Sequence, residues 1–544
     1  GKGQKGQAFA PERLSEDARA LLGVLQRKYE RYDESHFASR IEGSGGQVVS
    51  TLGSHGAGIS DAAWLRIVSK RLRHEGSGAT WKQLDPHHVA ESSVRQFSGT
   101  LGEAANRDPN RFAHLSLRFP EDVHPWYVAA VFDGMRLATP ESLVEEARDE
   151  WEPADCQLME QVLDRHTELE NDYAAKSFCW LVRDRASDPW STSVLDHVVS
   201  LACTHADPEV DALTAANHGT TDFSATRSSP SDLDTNALNC VRGVAALAIG
   251  ALLRHSPHQL DYFVPALQST CEDQHPAVRT ASMTALLSVL PINSALAIQL
   301  FTDACSDDTR IAATRHAHYF FNAGMTTHAE LLSGLVRQML RSDFANVVRA
   351  GAQQVAVRWA FQDLFSAELA RGTTGTDAMR LGLADALSQI IAMPDYQARS
   401  RDLLIDLLSD PNPDVREAAS RFLRNNELIG SEFGRSLMRA CVDTTAFADD
   451  SAAILRAIDD QAVSLIPFAG TVLEAASRFA DEFSEESRDI SHVGGRDATL
   501  LGRLLLRLYE EANSNSGGEI AQACLDTWDS LLEARVGIRN IFET

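Results

Sequence analysis

The sequence of 544 residues carries 76 acidic and 50 basic side chains, giving a formal net charge of −26 at pH 7. This charge argues against nonspecific nucleic-acid binding, which depends on Lys and Arg contacting phosphates, and favours a basic partner. The length exceeds one ordinary globular core, so we expect several domains or an extended repeat array. Because β-branched alternation is scarce while Ala, Leu, Arg and Glu are plentiful, we predict an almost wholly helical chain.

Residues 1–105 are predicted to form a helical region with a glycine-rich loop. Helices are predicted at 11–32 and 61–74, and the second ends in the basic residues Lys70, Arg71 and Arg73. Cations near a helix C-terminus complement its dipole, which is the structural interpretation. The alternative is a phosphate-binding patch made by these three side chains. The chain starts at Gly1 without Met, which favours an internal boundary or added residues, and we expect part of a longer polypeptide.

Residues 106–207 are predicted to form helical hairpins. Pro109, Pro120 and Pro125 each stand where a helix can begin, because a fixed φ and a missing N–H suit the first helical turn. The stretch from Asp108 to Tyr127 resembles helical hairpins that follow the NTPase module of large bacterial STAND-type proteins. That resemblance implies an alternative function for the chain, as the C-terminal sensor or regulatory region of a larger NTPase in antiphage defence.

Residues 208–235 are predicted to be a long loop. The segment is rich in Ser, Thr, Asn, Asp and Gly, which are typical of turns and irregular structure. A connection of this length is unusual in a compact helical repeat and is often functional. We therefore consider it the first candidate for a partner-binding insertion.

Residues 236–430 are predicted to form an array of repeats. Arginines recur at intervals of 31 to 39 residues, at Arg242, Arg279, Arg310, Arg349, Arg380 and Arg416. A period in the thirties is typical of one repeated helix–turn–helix unit, whose apolar face is buried by the neighbouring units. In three copies an Asp stands six residues before the Arg, giving Asp273/Arg279, Asp343/Arg349 and Asp410/Arg416. The other three copies lack that Asp and are predicted to be degenerate.

Two segments of the array resemble the second helix of HEAT repeats, namely Pro276-Ala277-Val278-Arg279 and the stretch from Pro413 to Ala419. This resemblance implies a curved stack of helical hairpins. It also implies a structural role for the recurrent residues, because the Asp and Arg of such stacks bridge adjacent repeats. We expect this ladder to consist of Asp273, Arg279, Asp343, Arg349, Asp410 and Arg416. Replacing one of its arginines by Ala should lower thermal stability.

Residues 431–544 are predicted to be a helical C-terminal cap. The sequence contains no recognisable enzyme signature. The glycine-rich stretches lack the Gly-Lys-Ser/Thr ending of a P-loop, and no Gly-x-Ser-x-Gly elbow occurs. His255, His258 and Asp261 lie close in sequence, but zinc requires a geometry that the intervening Pro257 does not favour. We predict no catalytic, cofactor-binding or metal-binding residue in this chain.

Eight cysteines without a CxxC pair favour free thiols in a reducing cytosol, and the longest apolar run is far shorter than a membrane span. We therefore predict a cytoplasmic all-α superhelix, HEAT-like in its middle, with irregular helical ends. The predicted function is a noncatalytic scaffold or sensor that binds a protein of basic character, as a subunit of a larger complex. A second alternative, besides the NTPase region, is an enzyme built on a HEAT scaffold. A DNA glycosylase of this kind requires a basic groove, and a lyase requires a chromophore pocket.

Overall fold

The structure, a computed structural model, describes residues 47–52, 56–70, 80–85, 88–136, 151–167, 171–211, 229–461, 464–482, 493–514, 518–536 and 538. The first predicted helix, at 11–32, lies outside these residues. The chain divides into two compact units, unit 1 (1–194) and unit 2 (195–544). This division falls inside the segment 106–207 that we had predicted to be one set of hairpins.

Unit 1 contains, in its described part, three short strands and a series of helices. The strands are β1 Gln47–Ser50, β2 Thr80–Asp85 and β3 His88–Ser92. The helices are α1 Asp61–Val68, α2 Val94–Arg107, α3 Pro109–Ser116, α4 Pro125–Gly134, α5 Cys156–His166, α6 Asp172–Asp184 and α7 Thr192–Thr204, the last of which continues into unit 2.

The strands form a small sheet of order β1-β3-β2 that corrects the prediction of a purely helical N-terminal region. β1 runs parallel to β3, with Val48 opposite Val89, while β2 runs antiparallel to β3, with Lys82 opposite Ala90. Each strand is four to six residues long and shows no clear alternation of apolar residues. Because long-range pairing rather than local pattern stabilises such strands, periodicity alone did not detect them.

The helices of unit 1 form hairpins in which α2, α4 and α6 pack side by side, while α3 packs against α5. Pro109 and Pro125 occupy the first turns of α3 and α4, as predicted. Pro120 begins no helix and precedes a turn at 121–122, which corrects the prediction for that proline. The side chains of Ser93, Asp108 and Asn171 accept hydrogen bonds from main-chain N–H groups at the starts of α2, α3 and α6. These caps set where each helix begins and therefore which residues share a face.

Unit 2 is helical throughout its described part. After α7 its helices are α8 Pro230–Ala237, α9 Val241–His255, α10 Leu260–Cys271, α11 Pro276–Val289, α12 Ser294–Cys305, α13 Ala317–Gly324, α14 Ala329–Met339, α15 Ala345–Gln362, α16 Ser366–Gly372, α17 Asp377–Ile390, α18 Gln397–Leu408, α19 Pro413–Ala419, α20 Asn426–Gly430, α21 Glu432–Val442, α22 Thr445–Asp449, α23 Ser451–Asp459, α24 Ala469–Glu482, α25 Val493–Ser514 and α26 Gly518–Glu533.

The helices of unit 2 stack as repeated hairpins, which confirms the predicted all-α solenoid fold. First helices of successive hairpins pack on one another (α10 on α12, α12 on α14), as do second helices (α9 on α11, and α15, α17 and α19 in order). Small residues permit close contacts between second helices. A Cβ added to Gly382 on α17 would lie 2.2 Å from the carbonyl oxygen of Arg349 on α15. Glycine is therefore required at that crossing.

The segment predicted as a loop over 208–235 is partly helical, which corrects its boundary. Residues 212–228 lie outside the described part of the chain, but α8 begins at Pro230 and packs against α11. Ser229 and Asp232 form a capping box, in which each side chain accepts a hydrogen bond from the other residue's main-chain N–H. The Ser-Pro-Ser-Asp sequence is thus a helix start, although its composition is also typical of loops.

No single helix among the described residues is long and apolar enough to cross a membrane; α8 and α9 pass the length and composition test only as a pair bent by 78°.

Candidate functional site

Recurrent arginines of unit 2 link consecutive turns of the stack. Arg242 Nε donates to Asp273 in the next turn at 2.8 Å, and its Nη1 donates to the main-chain carbonyl of His205 at 2.6 Å. Arg380 and Arg416 repeat this arrangement. Each donates to a carboxylate in the following turn, Asp410 or Asp449, and to a carbonyl oxygen in its own turn, that of Gly375 or Asp410. We call these contacts the arginine ladder.

The Asp and Arg of one copy do not form an ion pair with each other. Asp273 accepts from Arg242 and Asp410 accepts from Arg380, each an arginine of the preceding copy. Arg279 reaches the following turn less closely, since its Nη2 lies 3.9 Å from Asp308 Oδ2. The six-residue spacing therefore marks residues that face opposite neighbours in the stack.

Asp343 is exposed and forms no ion pair within the described part of the chain, which corrects its predicted place in the ladder. Ser342 occupies the turn position instead. Its Oγ accepts a hydrogen bond from the Phe344 N–H, as the Asp273 carboxylate does from His275 and the Asp410 carboxylate from Asn412. In this copy the turn residue, Ser342, lies seven positions before Arg349. The six-residue spacing of the other copies therefore pointed to Asp343, which is the wrong residue.

Arg349 pairs with a residue that sequence reasoning missed. Asp385, on α17, is 4% exposed and accepts hydrogen bonds from Arg349 Nε at 2.5 Å, Gln353 Nε2 at 3.1 Å and Arg421 Nη1 at 2.5 Å. A buried carboxylate is stable only when it is paired in this way. The only sign of this buried carboxylate in the sequence is an Asp that stands among apolar residues of the helix. We call this group the Asp385 cluster.

A cleft of about 570 Å³ lies beside the Asp385 cluster. Arg421 and Arg424 line it together with Ser388, Gln389 and Glu427. Its lining combines charged side chains with the apolar residues Ala392 and Phe422, and Arg421 is already bound to Asp385. Because Arg421 is engaged by Asp385, we assign this cleft to the structural cluster and not to ligand binding.

We call three residues at neighbouring turns of unit 2 the aromatic patch: Phe361, Met393 and Tyr396. Met393 belongs to the same turn as Tyr396, whose main-chain N–H donates to the Met393 carbonyl. Phe361 is 40% exposed and Met393 is 44% exposed. The rings of Phe361 and Tyr396 lie 4.5 Å apart between centroids. The turn is held by Arg399, which covers the ring of Trp359 at 4.1 Å and donates to the carbonyl of Ala360 at 3.1 Å.

Unit 1 has a cleft of about 480 Å³ between α2, α4 and α6, which we call the unit 1 cleft. Its walls carry two aromatic rings and three charged groups above a surface of small residues, and its lining consists of Arg95, Ser98, Gly99, Gly102, Glu103, Trp126, Ala130, Asp133 and Tyr173. The rings of Trp126 and Tyr173 lie 5.7 Å apart. Burial raises the pKa of Asp133 above its ordinary value, although Arg136 and the Ser177 hydroxyl partly oppose this.

The predicted phosphate-binding patch is only partly visible. Lys70 is exposed just after the end of α1. Arg71 and Arg73 lie outside the described residues, so this patch stays a prediction.

The cysteines and histidines of the described residues do not form a reactive or metal-binding group. Burial raises the pKa of the Cys240, Cys271 and Cys441 thiols to about 12, so these cysteines are protonated at neutral pH. His255 and His258 are exposed at the junction before α10. No group of three His, Cys, Asp or Glu residues in the described part of the chain has a metal-binding arrangement.

No protein-family model and no curated relative matches the sequence. Among solved structures, the chain is similar to yeast importin-β, Kap95p, at 12% identity and a TM-score of 0.37, over 88% of this chain and 62% of that one. Kap95p bound to RanGDP matches at a TM-score of 0.35 and the Kap95–Nup1 complex at 0.33, both at 12% identity. The chain spans about three fifths of the length of these structures. The hairpin stacking described above defines the class, a HEAT-like helical-repeat solenoid.

Proposed function

We propose that this chain is a noncatalytic helical-repeat scaffold that binds another protein through the aromatic patch. The observation that carries the proposal is the contact between Phe361 and Tyr396, with Met393 in the same turn as Tyr396. Single exposed apolar residues are common on protein surfaces, whereas adjacent ones are typical of interaction sites. Aromatic and Met side chains are also enriched in the centres of protein interfaces.

Contacts within the chain connect the two turns that carry the patch. Arg399 joins α18 to the end of α15, through its contact with Trp359 and an ion pair of 2.8 Å with Asp363. Asp363 and Phe365 hold left-handed backbone conformations, with φ of 57° and 62°. A preordered surface loses less conformational entropy on binding, so more of the buried apolar area contributes to affinity.

The partner we propose has a basic surface around its apolar anchor, and its binding makes the chain a subunit of a larger complex. The net charge of −26 attracts such a partner over long distances. Screening by salt should weaken this attraction, whereas apolar contact with the aromatic patch should persist. The two contributions can therefore be separated by ionic strength.

The test is a pull-down from host lysate with the purified chain at low and high salt, followed by mass spectrometry. The variant Phe361→Ser combined with Met393→Ser removes the exposed apolar atoms of the patch. The matched control is Leu525→Ser, because Leu525 is 45% exposed on α26, away from the patch in sequence. We expect one stoichiometric basic protein that the control retains and the double variant loses. Equal recovery by both variants, or no specific partner, would contradict the proposal.

A further inference from the structure

The unit 1 cleft is formed by parallel helices that bring distant residues together. Gly102 on α2 faces Ala130 on α4, and Gly134 faces Ala105, so the two helices run in the same direction. Glu103 therefore lies level with the end of α4 that carries Asp133. Arg95 lies two turns earlier on α2, about 12 Å from Glu103 at 1.5 Å per residue. The cleft thus has a basic end and an acidic end.

Gly99 keeps the middle of the cleft open. A Cβ added to Gly99 would meet no atom within 4 Å, so helix packing does not require glycine there. Glycine inside a helix costs about 0.5–1 kcal/mol relative to Ala. This contrasts with Gly134, where an added Cβ would lie 2.4 Å from the Cβ of Ala105. The physical effect of glycine at position 99 is therefore to leave open space in the cleft.

The acidic end of the cleft has one weakly placed cation among the described residues, Arg136. Glu103 is exposed and has no partner among the described residues. Asp133 accepts a hydrogen bond from Ser177 at 3.2 Å, and its nearest cation, Arg136, is 3.9 Å away and bound to Asp184. Trp126 and Tyr173 lie in the same cleft, nearer to Arg95, because Trp126 is level with Ser98 in the register of the two helices. The rings therefore form an apolar wall that leads to the two carboxylates.

We propose that the unit 1 cleft binds an arginine or lysine side chain from a protein segment, with its cation at the carboxylates of Glu103 and Asp133 and its aliphatic stem along the Trp126 and Tyr173 rings. The aliphatic stem of that side chain passes over Gly99. Arg95, at the opposite end, repels a second cation and so gives the bound segment a direction. This site is separate from the aromatic patch, and it can fail while the scaffold function stands.

The experiment uses the full chain and a fluorescein-labelled Gly-Ser peptide with one central arginine, compared by anisotropy at low salt with the same peptide carrying citrulline. Citrulline keeps the shape of arginine and removes its charge. We expect the arginine peptide to bind at least about tenfold more tightly, as charge-assisted hydrogen bonds do relative to neutral ones. Equal affinities, or no binding of the arginine peptide at millimolar concentration, would overturn the proposal.

Three variants locate the binding site. Gly99→Leu fills the cleft and should weaken binding by at least about tenfold, while its matched control Gly334→Leu, another helical glycine with open space around it, should leave binding unchanged. Glu103→Gln should also weaken binding, and Arg95→Gln should strengthen it. Weakening by Arg95→Gln with no effect of Glu103→Gln would indicate an anion site and overturn the proposal. Melting curves check that the Gly99→Leu chain is folded.

Discussion

The arginine ladder of unit 2 and the unit 1 cleft use the same kinds of charged side chain in opposite ways. In the ladder, Arg242 and Arg416 each contact a carboxylate and a main-chain carbonyl. In the cleft, the carboxylate of Glu103 has no partner in the described part of the chain and lies beside open space. The ladder charges are thus paired and shielded, whereas the Glu103 charge is exposed and reachable by a ligand.

The largest effect should come from the Asp385 cluster. Asp385→Ala removes the acceptor shared by Arg349, Gln353 and Arg421, leaving two cations close together without a counter-charge. We expect a loss of about 2–3 kcal/mol, below the 3–5 for a wholly buried pair, because both arginines are partly exposed. Urea unfolding monitored by circular dichroism measures this loss.

The matched control is Asp343→Ala. Asp343 has the sequence spacing of a ladder residue but is exposed and has no ion pair among the described residues. Its replacement should change the free energy of unfolding by less than about 0.5 kcal/mol. Equal destabilisation by the two substitutions would mean that burial and pairing do not distinguish structural charges in this chain.

The next largest loss of stability should differ between two arginines of the ladder. Arg416 is 8% exposed, with a carboxylate and a carbonyl acceptor, whereas Arg279 has only a carbonyl at 3.4 Å and a carboxylate at 3.9 Å. We expect Arg416→Ala to cost about 2 kcal/mol and Arg279→Ala about 1 kcal/mol. Thermal melting of the two variants provides the comparison, and a larger loss for Arg279→Ala would show that contact geometry does not rank the ladder.

The amount that sequence could predict differs between these two regions. The recurrence of arginines at intervals of thirty to forty residues predicted the helical hairpins, because such a period reflects local structure and stacking. Ladder partners could not be assigned from one copy, since Arg242 pairs across hairpins with Asp273 and Arg349 pairs with a carboxylate outside any turn. The cleft was missed altogether because Gly99, Trp126 and Tyr173 meet only through helix packing.

A third effect concerns pH and the unit 1 cleft. The raised pKa of Asp133 reflects burial first, and Arg136, Ser177 and Asp184 also act on it; Glu103, Arg95 and Tyr173 share its cleft. A bound cation favours the ionised carboxylate, so ligand binding should lower this pKa and release a proton. Affinity for the arginine peptide should therefore rise with pH through the raised pKa, above the ordinary aspartate value of about 3.9, and then level off. Anisotropy titrations of the wild type and Asp133→Asn should show that the variant loses this rise.

The smallest effect should be a gain in stability. Gly99→Ala adds a methyl group where nothing lies within 4 Å, so it should stabilise the chain by about 0.5–1 kcal/mol through helix propensity and reduced freedom of the unfolded state. Gly334→Ala should give the same gain for the same reason, whereas Gly382→Ala should destabilise because its Cβ would meet the Arg349 carbonyl. Differential scanning calorimetry measures all three. A stabilised Gly99→Ala chain that binds the arginine peptide less tightly would indicate that this glycine serves the cleft at the expense of the helix. Stabilisation with undiminished binding would show that the bound side chain does not pass over position 99.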